Sequence, residues 1–190
     1  MEKKVISRFI VNIFFSNFFL ILLSIALNIE TNIKIGLPFN SIAYYTFIST
    51  ITVLFYLYAY RIPKSLKSSS NPRTQFYITH RKSVRIYTAI LAVIALISGI
   101  ILAINCLPNY EILTWKWLTV LSFTTILSFG YYDFKLGISL RKTMLLKPFL
   151  IGWTWAITTV FLPVLFLMLK NETHYVIDAK FYFLFSQTFM

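Results

Sequence analysis

Carboxylates, cysteine and glycine are all scarce in this sequence of 190 residues. Six Asp and Glu stand against 18 Lys and Arg, with one cysteine and five glycines. The single cysteine, Cys106, excludes a disulfide within the chain and a zinc site built on several cysteines. The glycines are far apart, which excludes a glycine-rich phosphate-binding loop. No two acids share a predicted helix face, so the sequence supports neither a catalytic carboxylate pair nor a metal site.

The sequence also lacks the polar surface of a soluble domain. Only 13% of its residues are charged, 58% are hydrophobic, and the mean hydropathy is +0.73. Soluble domains carry about a quarter charged residues, so this composition predicts a membrane protein. In a soluble protein, a net charge of +12 would suggest nucleic acid as a binding partner. Here no polar surface remains to present a base-reading element, so nucleic acid is not expected as a partner.

Apolar runs of membrane length follow one another along the chain. A helix needs about 20 mostly apolar residues to cross a bilayer core of roughly 30 Å. The runs are about twice the length of a barrel strand, so helices are expected. The sequence therefore predicts an all-α fold, a polytopic transmembrane helical bundle forming a single integral membrane domain over residues 1–190. Five full spans are predicted at 9–29, 42–60, 86–107, 113–132 and 149–169, with a partial sixth at 181–190. Pro163 is expected to kink the fifth.

The cations are distributed unequally between the connections. Fourteen of the 18 lie in the N-terminus or in the connections that follow the second and fourth spans. Because cytoplasmic connections are enriched in Lys and Arg, the sequence predicts a multi-pass protein of the cytoplasmic membrane. Its N-terminus is expected on the cytoplasmic side.

Asn, Ser and Thr recur inside the predicted spans, whereas no charged residue lies deep in a span. The polar side chains are expected either to bond between helices or to line a polar pocket. The absence of deep charges argues against an ion-coupled transporter. The polar positions are Asn12, Asn17, Thr46, Ser49, Thr50, Thr52, Ser122, Thr124, Thr125, Ser128, Thr154, Thr158 and Thr159.

Three segments carry a likeness to a known family: FISTITVLFYLYAYRI (47–62), GYYDFKLGISLRK (130–142) and KPFLIGWTWAITTVFLPVL (147–165). In these the chain resembles the UbiA-type intramembrane prenyltransferase superfamily. The resemblance implies a helical bundle in which two Asp-rich motifs hold Mg²⁺. In that family the metal binds the diphosphate of a prenyl donor, whose prenyl group is transferred to an acceptor. The Asp carboxylates supply the oxygen ligands that Mg²⁺ prefers, and the bound Mg²⁺ stabilises the negative charge of the departing diphosphate.

The sequence departs from that family at both metal motifs. The first would fall near residues 58–71, YAYRIPKSLKSSSN, where there is no Asp or Glu. The second would follow a sixth helix, beyond Met190. We therefore expect either a truncated or a divergent relative that is inactive as it stands, with no catalytic residue and no bound cofactor. The alternative is a non-enzymatic membrane subunit or scaffold.

Cations occupy the part of the chain that binds the diphosphate in the resembled family. They are candidate contacts for the diphosphate of an isoprenoid or for lipid headgroups. The plainer explanation is topology together with attraction to the anionic bilayer, at about 1 kcal/mol per cation. A protein partner is left unspecified. The candidate binding residues are Arg61, Lys64, Lys67, Arg73, Lys135 and Arg141.

Overall fold

The computed structural model describes residues 13–59, 68–106, 115–131, 146–170 and 177–190. Within these ranges 87% of the residues are helical and no strand is present, which confirms the all-α prediction. The segment Ile157–Phe161 forms a π-helix. The α-helices are α1 (Phe19–Ile35), α2 (Ile42–Ala59), α3 (Pro72–Thr79), α4 (Arg81–Cys106), α5 (Trp115–Tyr131), α6 (Leu146–Ala156), α7 (Leu162–Leu169) and α8 (Ala179–Phe189).

Two helical stretches in the described residues are long and apolar enough to cross a bilayer. They are Arg81–Cys106 and Pro148–Leu169, whereas Ile42–Tyr58 and Trp117–Leu127 are apolar but shorter. In the most apolar window of α4 only 22% is buried inside the protein, against 56% for the second stretch. Water in contact with so much apolar surface is unfavourable, at roughly 25 cal/mol per Å². The exposed surface of α4 therefore favours a membrane environment.

The start of the first predicted span differs from a continuous helix. A helical turn over residues 13–15 ends at Asn17, whose φ of 61° lies in the left-handed region. The Phe18 amide donates to the Ile13 carbonyl over 3.1 Å, the bond that closes a helix with a left-handed residue. Asparagine tolerates this conformation better than most residues. α1 then begins at Phe19 and continues to Ile35, beyond the predicted end at residue 29.

A second left-handed residue ends α1. Gly36 has φ 80°, and the amides of Gly36 and Leu37 both donate to the Asn32 carbonyl, at 3.0 and 2.8 Å. Glycine adopts this conformation without a steric penalty. The Asn32 side chain donates to the Pro38 carbonyl over 2.9 Å. The turn out of α1 is thus held by one asparagine through both its main chain and its side chain.

The chain forms two compact units. Unit 1 comprises residues 1–26 and 42–101, and unit 2 comprises residues 27–41 and 102–190. The core of unit 2 is built mainly on the π-helical segment and α7. Its buried residues are Ile35, Ile157, Val160, Phe161, Val164, Leu165, Leu169, Phe181 and Leu184.

A π-helical segment directly precedes Pro163 in the fifth predicted span, where the kink remains a prediction. The Leu162 amide donates to the Ile157 carbonyl, one residue further back than in an α-helix. Proline has no amide hydrogen to continue the α-helical ladder, and an extra residue in the turn accommodates this. Asn40 donates to the Pro163 carbonyl over 3.2 Å, which ties the connection after α1 to this segment.

The partial sixth span predicted at residues 181–190 overlaps α8, a helix that packs against α6. Asp178 caps α8 by accepting from the Phe181 amide over 2.9 Å. At Gly152 the two backbones come so close that a Cβ would lie 2.2 Å from the Phe189 carbonyl oxygen. Trp153 packs against Phe185 and Phe189 at ring-centroid distances of 5.8 and 6.5 Å. A glycine and an aromatic cluster therefore define this helix pair.

Most hydroxyls within the helices bond along their own helix. Thr50, Thr52 and Thr159, for example, donate to carbonyls four residues earlier. Thr124 also bonds between helices, because it accepts from Trp153 Nε1 over 3.1 Å. The expected hydrogen bonding between helices is therefore found at Thr124. The other described hydroxyls mainly donate to main-chain carbonyls of their own helix.

Candidate functional site

Of the six cations predicted to bind phosphate, Arg73 lies in the part of the chain that the structure describes. It occupies the first turn of α3, in unit 1. The other five lie outside the described residues: Arg61, Lys64, Lys67, Lys135 and Arg141.

A capped N-terminus positions Arg73. Asn71 Oδ1 accepts from the amides of Arg73 and Thr74, at 3.0 and 3.3 Å, and Pro72 is the first residue of α3. Both features favour a helix that begins at this point. The local sequence Ser-Asn-Pro-Arg therefore holds the Arg73 side chain at the beginning of an eight-residue helix.

Asn17, Arg73 and Tyr77 form a hydrogen-bonded cluster. An Arg73 Nη2 hydrogen is donated to Asn17 Oδ1. Asn17 Nδ2 donates to the Tyr77 hydroxyl over 3.0 Å, and that hydroxyl donates to the Phe15 carbonyl over 2.8 Å. Asn17 and Tyr77 are buried. The cluster binds α3 to the break that precedes α1, so the role of Arg73 here includes a structural one.

An open cleft of about 450 Å³ lies in unit 1 beside this cluster. Its walls come from residues 13–18, α2, α3 and one face of α4. His80 and residues 83, 84 and 87 share this face, because their spacing matches the helical repeat. The surface of the cleft is almost entirely apolar. Its main wall residues are Phe18, Leu57, Phe76, Ser83, Val84 and Tyr87.

Tyr87 contributes to the wall of the cleft, and its hydroxyl is enclosed by the protein. Its hydroxyl oxygen is buried and has no hydrogen-bond partner among the residues that the structure describes. A buried hydroxyl without a partner costs about 1–3 kcal/mol.

Cations gather at the start of α4. Arg81, Lys82 and Arg85 lie within its first five residues, and Lys82 and Arg85 are exposed. The sequence of unit 1 contains a single carboxylate, Glu2, at its N-terminus. The described residues of unit 1 therefore carry a net positive charge, which attracts anions.

The Mg²⁺ of the resembled family does not fit the described residues. Mg²⁺ prefers carboxylate oxygens, and the described part of unit 1 has none. No group of three metal-ligating side chains occurs among the residues searched, which are the described ones.

Sequence reasoning missed the cleft and Tyr87. Arg81, Lys82 and Arg85 belong to the basic connection after the second predicted span but are not among the six candidate binding residues, and Tyr87 lies in the third predicted span. The spacing of His80, Ser83, Val84 and Tyr87 would have placed them on one helix face. It does not reveal that the turn at Asn17 and α3 face them.

No protein-family model, curated protein or solved structure matches this chain. The function is therefore argued from the residues and geometry described above.

Proposed function

We propose that the chain is a five-span protein of the cytoplasmic membrane that binds an isoprenoid diphosphate on its basic side. It is a relative of the UbiA-type prenyltransferases that lacks the transfer reaction. The observation that carries the proposal is the cation cluster Arg81, Lys82 and Arg85 at one end of an exposed apolar helix of membrane length. In this proposal the N-terminus and the cluster lie on the cytoplasmic side, because cytoplasmic connections are enriched in Lys and Arg.

The positions of the helices support the span count. α2, α4, α5 and the α6–α7 stretch each overlap one predicted span. α2 and α5 contain 18 and 17 residues, about 26 Å of helix at 1.5 Å per residue. This lies near the lower limit for a membrane span. α1 is the fifth, and it carries Glu30 and Lys34 as an ion pair at its end, where a polar interface accommodates them.

The spacing of the cations supports a phosphate ligand. Arg81 and Arg85 are four residues apart on one side of α4, and like charges at this spacing repel each other. A bound anion replaces that repulsion with two attractive interactions. Arginine also presents paired N–H groups that match phosphate oxygens.

The proposed function is binding without transfer, because transfer of the prenyl group needs a metal ion. Departure of diphosphate leaves charge that Mg²⁺ stabilises in the resembled family, and carboxylates must hold that ion. The segment in the corresponding place, residues 58–71, contains none. We therefore expect a molecule that retains the donor without cleaving it.

Binding of farnesyl diphosphate to the purified full chain in detergent tests this function. We expect saturable, salt-sensitive binding that weakens about tenfold in the double variant Arg81→Gln, Arg85→Gln, which removes two charge-assisted contacts. The matched control is Lys34→Gln, Lys180→Gln, which removes the same charge from the opposite predicted side. Equal binding by the two double variants, or binding that never saturates, would refute the proposal.

Reporter fusions test the proposed topology separately. Fusions after Ser69 and Asn109 are expected in the cytoplasm and outside it, respectively, because one predicted span separates them. A result with both reporters in one compartment contradicts the five-span arrangement.

A scaffold is the second candidate, favoured by the exposed apolar face of α4. Ile90, Val93 and Ile97 are each more than half exposed. A partner helix is able to pack there in place of lipid. A photo-crosslinker at Val93 that yields one discrete protein adduct in membranes supports the scaffold, and lipid adducts alone count against it.

A further inference from the structure

We propose that the membrane surface meets unit 2 at the level of Pro163, where exposed aromatic side chains lie among lipid headgroups, and that α7 projects beyond this surface. The aromatic residues are Phe39, Trp115 and Tyr182. This inference rests on the membrane location proposed above and assigns unit 2 a depth in the bilayer. The competing arrangement places the surface at Lys170, where the apolar stretch Pro148–Leu169 ends.

α5 lies antiparallel to the stretch Pro148–Leu169. The ring centroids of Trp117 and Phe161 are 4.7 Å apart, and Trp153 Nε1 donates to Thr124 over 3.1 Å. Trp117 precedes Thr124 on α5, whereas Phe161 follows Trp153 on the stretch. Because the two intervals are seven and eight residues long, equal steps along the two helices correspond to nearly equal changes in depth.

α8 is antiparallel to the same stretch. Its last turn approaches α6, because a Cβ on Gly152 would lie 2.2 Å from the Phe189 carbonyl oxygen. Phe181, in its first turn, belongs to the buried core that also contains Phe161. Eight residues separate Phe181 from Phe189, and nine separate Gly152 from Phe161. The beginning of α8 therefore lies near the level of Phe161, as Trp117 does on α5.

Polar groups gather at this level. Asn40, in the connection after α1, donates to the Pro163 carbonyl over 3.2 Å. Asp178 and Lys180 lie at the beginning of α8, and both are exposed. Lys170 is seven residues beyond Pro163, which is about 10 Å along a helix. If the membrane surface lay at Lys170, the two exposed charged residues of α8 would lie in hydrocarbon, which is unfavourable.

Large aromatic side chains are exposed at the same level. Trp115 precedes Trp117 by two residues and is 84% exposed. Phe39 adjoins Asn40 in the chain and is 61% exposed, and Tyr182, in the first turn of α8, is 65% exposed. Trp and Tyr favour the headgroup region, because each combines an apolar ring with a hydrogen-bonding group. Their exposure is therefore explained by contact with the membrane surface.

α7 has the burial expected of a helix outside the bilayer. Five of its eight residues are buried, so protein covers most of its apolar side chains. With the surface at Pro163, the part of the stretch that crosses the bilayer extends from Leu146 over 17 residues, about 26 Å of helix. This length equals that of α5, which contains 17 residues. The two neighbouring helices then cross the same thickness of membrane.

Spin-label depth measurements on the full chain in phosphatidylcholine vesicles test the inference. Single labels are attached in a Cys106→Ser background through Trp115→Cys, Tyr182→Cys, Lys170→Cys and, as the deep control, Ile126→Cys. Ile126 is 70% exposed and lies 11 residues along α5 from Trp115. Oxygen concentrates in hydrocarbon and a nickel complex stays in water, so their relative access to a label gives its depth. We expect the labels at residues 115 and 182 at headgroup depth, the label at residue 170 about 10 Å farther out, and the label at residue 126 in hydrocarbon.

Two other results overturn the inference in different ways. If the labels at residues 115 and 182 lie about 10 Å inside the hydrocarbon and the label at residue 170 lies at the surface, α7 belongs to the span. The inference is then wrong, while the proposed membrane location and ligand binding stand. If the nickel complex reaches all four labels equally, with the helical circular dichroism spectrum unchanged, both the inference and the proposed membrane location are wrong.

Discussion

Replacement of Gly152 by alanine should separate α8 from α6. An alanine Cβ would lie 2.2 Å from the Phe189 carbonyl oxygen and 3.2 Å from its carbon. Ordinary contact begins near 3.4 Å, so α8 has to move by roughly 1 Å. The obstructing atoms belong to the backbone, which cannot rotate away as a side chain does. Extra atoms in a packed interface cost about 1–3 kcal/mol.

Two further effects modify this cost. Alanine stabilises a helix interior by up to about 1 kcal/mol relative to glycine, which opposes the clash. Movement of α8 also disturbs the packing of Phe189 on Phe149 and Trp153, whose ring centroids lie 5.2 and 6.5 Å away. Such aromatic pairs contribute about 0.5–1.5 kcal/mol each. We expect a net loss of about 1–2 kcal/mol in the free energy of unfolding.

Thermal unfolding of the purified protein in detergent measures this loss. For a chain of this size 1 kcal/mol corresponds to about 2–4 °C, so Gly152→Ala should lower Tm by about 2–8 °C. Gly99→Ala is the control, since its Cβ meets only the Phe47 ring, at 3.1 Å, and a side chain can turn aside. A Gly152→Ala protein as stable as Gly99→Ala, or more so, would show that the close approach of the two backbones is not what the helix pair requires.

Three other substitutions test individual contacts. Asn17→Ala should destabilise the protein by about 1 kcal/mol more than Asn17→Gly in thermal unfolding, because only alanine adds a penalty for the left-handed backbone; equal losses would contradict this. Asn71→Ala should speed amide hydrogen exchange in α3 by removing a cap worth about 1 kcal/mol, and Asn71→Asp should not. Thr124→Val should lower Tm by leaving Trp153 Nε1 without its acceptor, while Thr125→Val, whose hydroxyl bonds within its own helix, should change it less.

Helix positions were predictable where a segment's own composition decides them. The apolar runs around α2, α4 and α5 are uniform, and each forms a helix close to the predicted range. The first run failed this rule at Asn17. A polar residue such as Asn17 in an apolar run suggests a side chain that packs or bonds between helices. The neighbouring residues do not indicate that its backbone is left-handed. Arg73 and Tyr77, more than 50 residues away, hold it there.

The candidate site was predictable in charge and unpredictable in shape. Excess Lys and Arg with few acids is a property of composition, so the expectation of an anionic ligand needs no knowledge of the fold. The cleft depends on which helix faces meet. Val84 and Tyr87 became wall residues only because residues 13–18 and α3 lie opposite them.

Composition alone determined that the chain is apolar, basic, helical and poor in metal ligands, because these properties are sums over residues and their neighbours in sequence. Tertiary structure decided where the first helix breaks, why Gly152 has no side chain, and which hydroxyl is buried without a partner among the described residues. Each of these depends on atoms brought together from distant parts of the chain. A local sequence pattern does not predict such contacts, because the same pattern of residues packs equally well against many different neighbours.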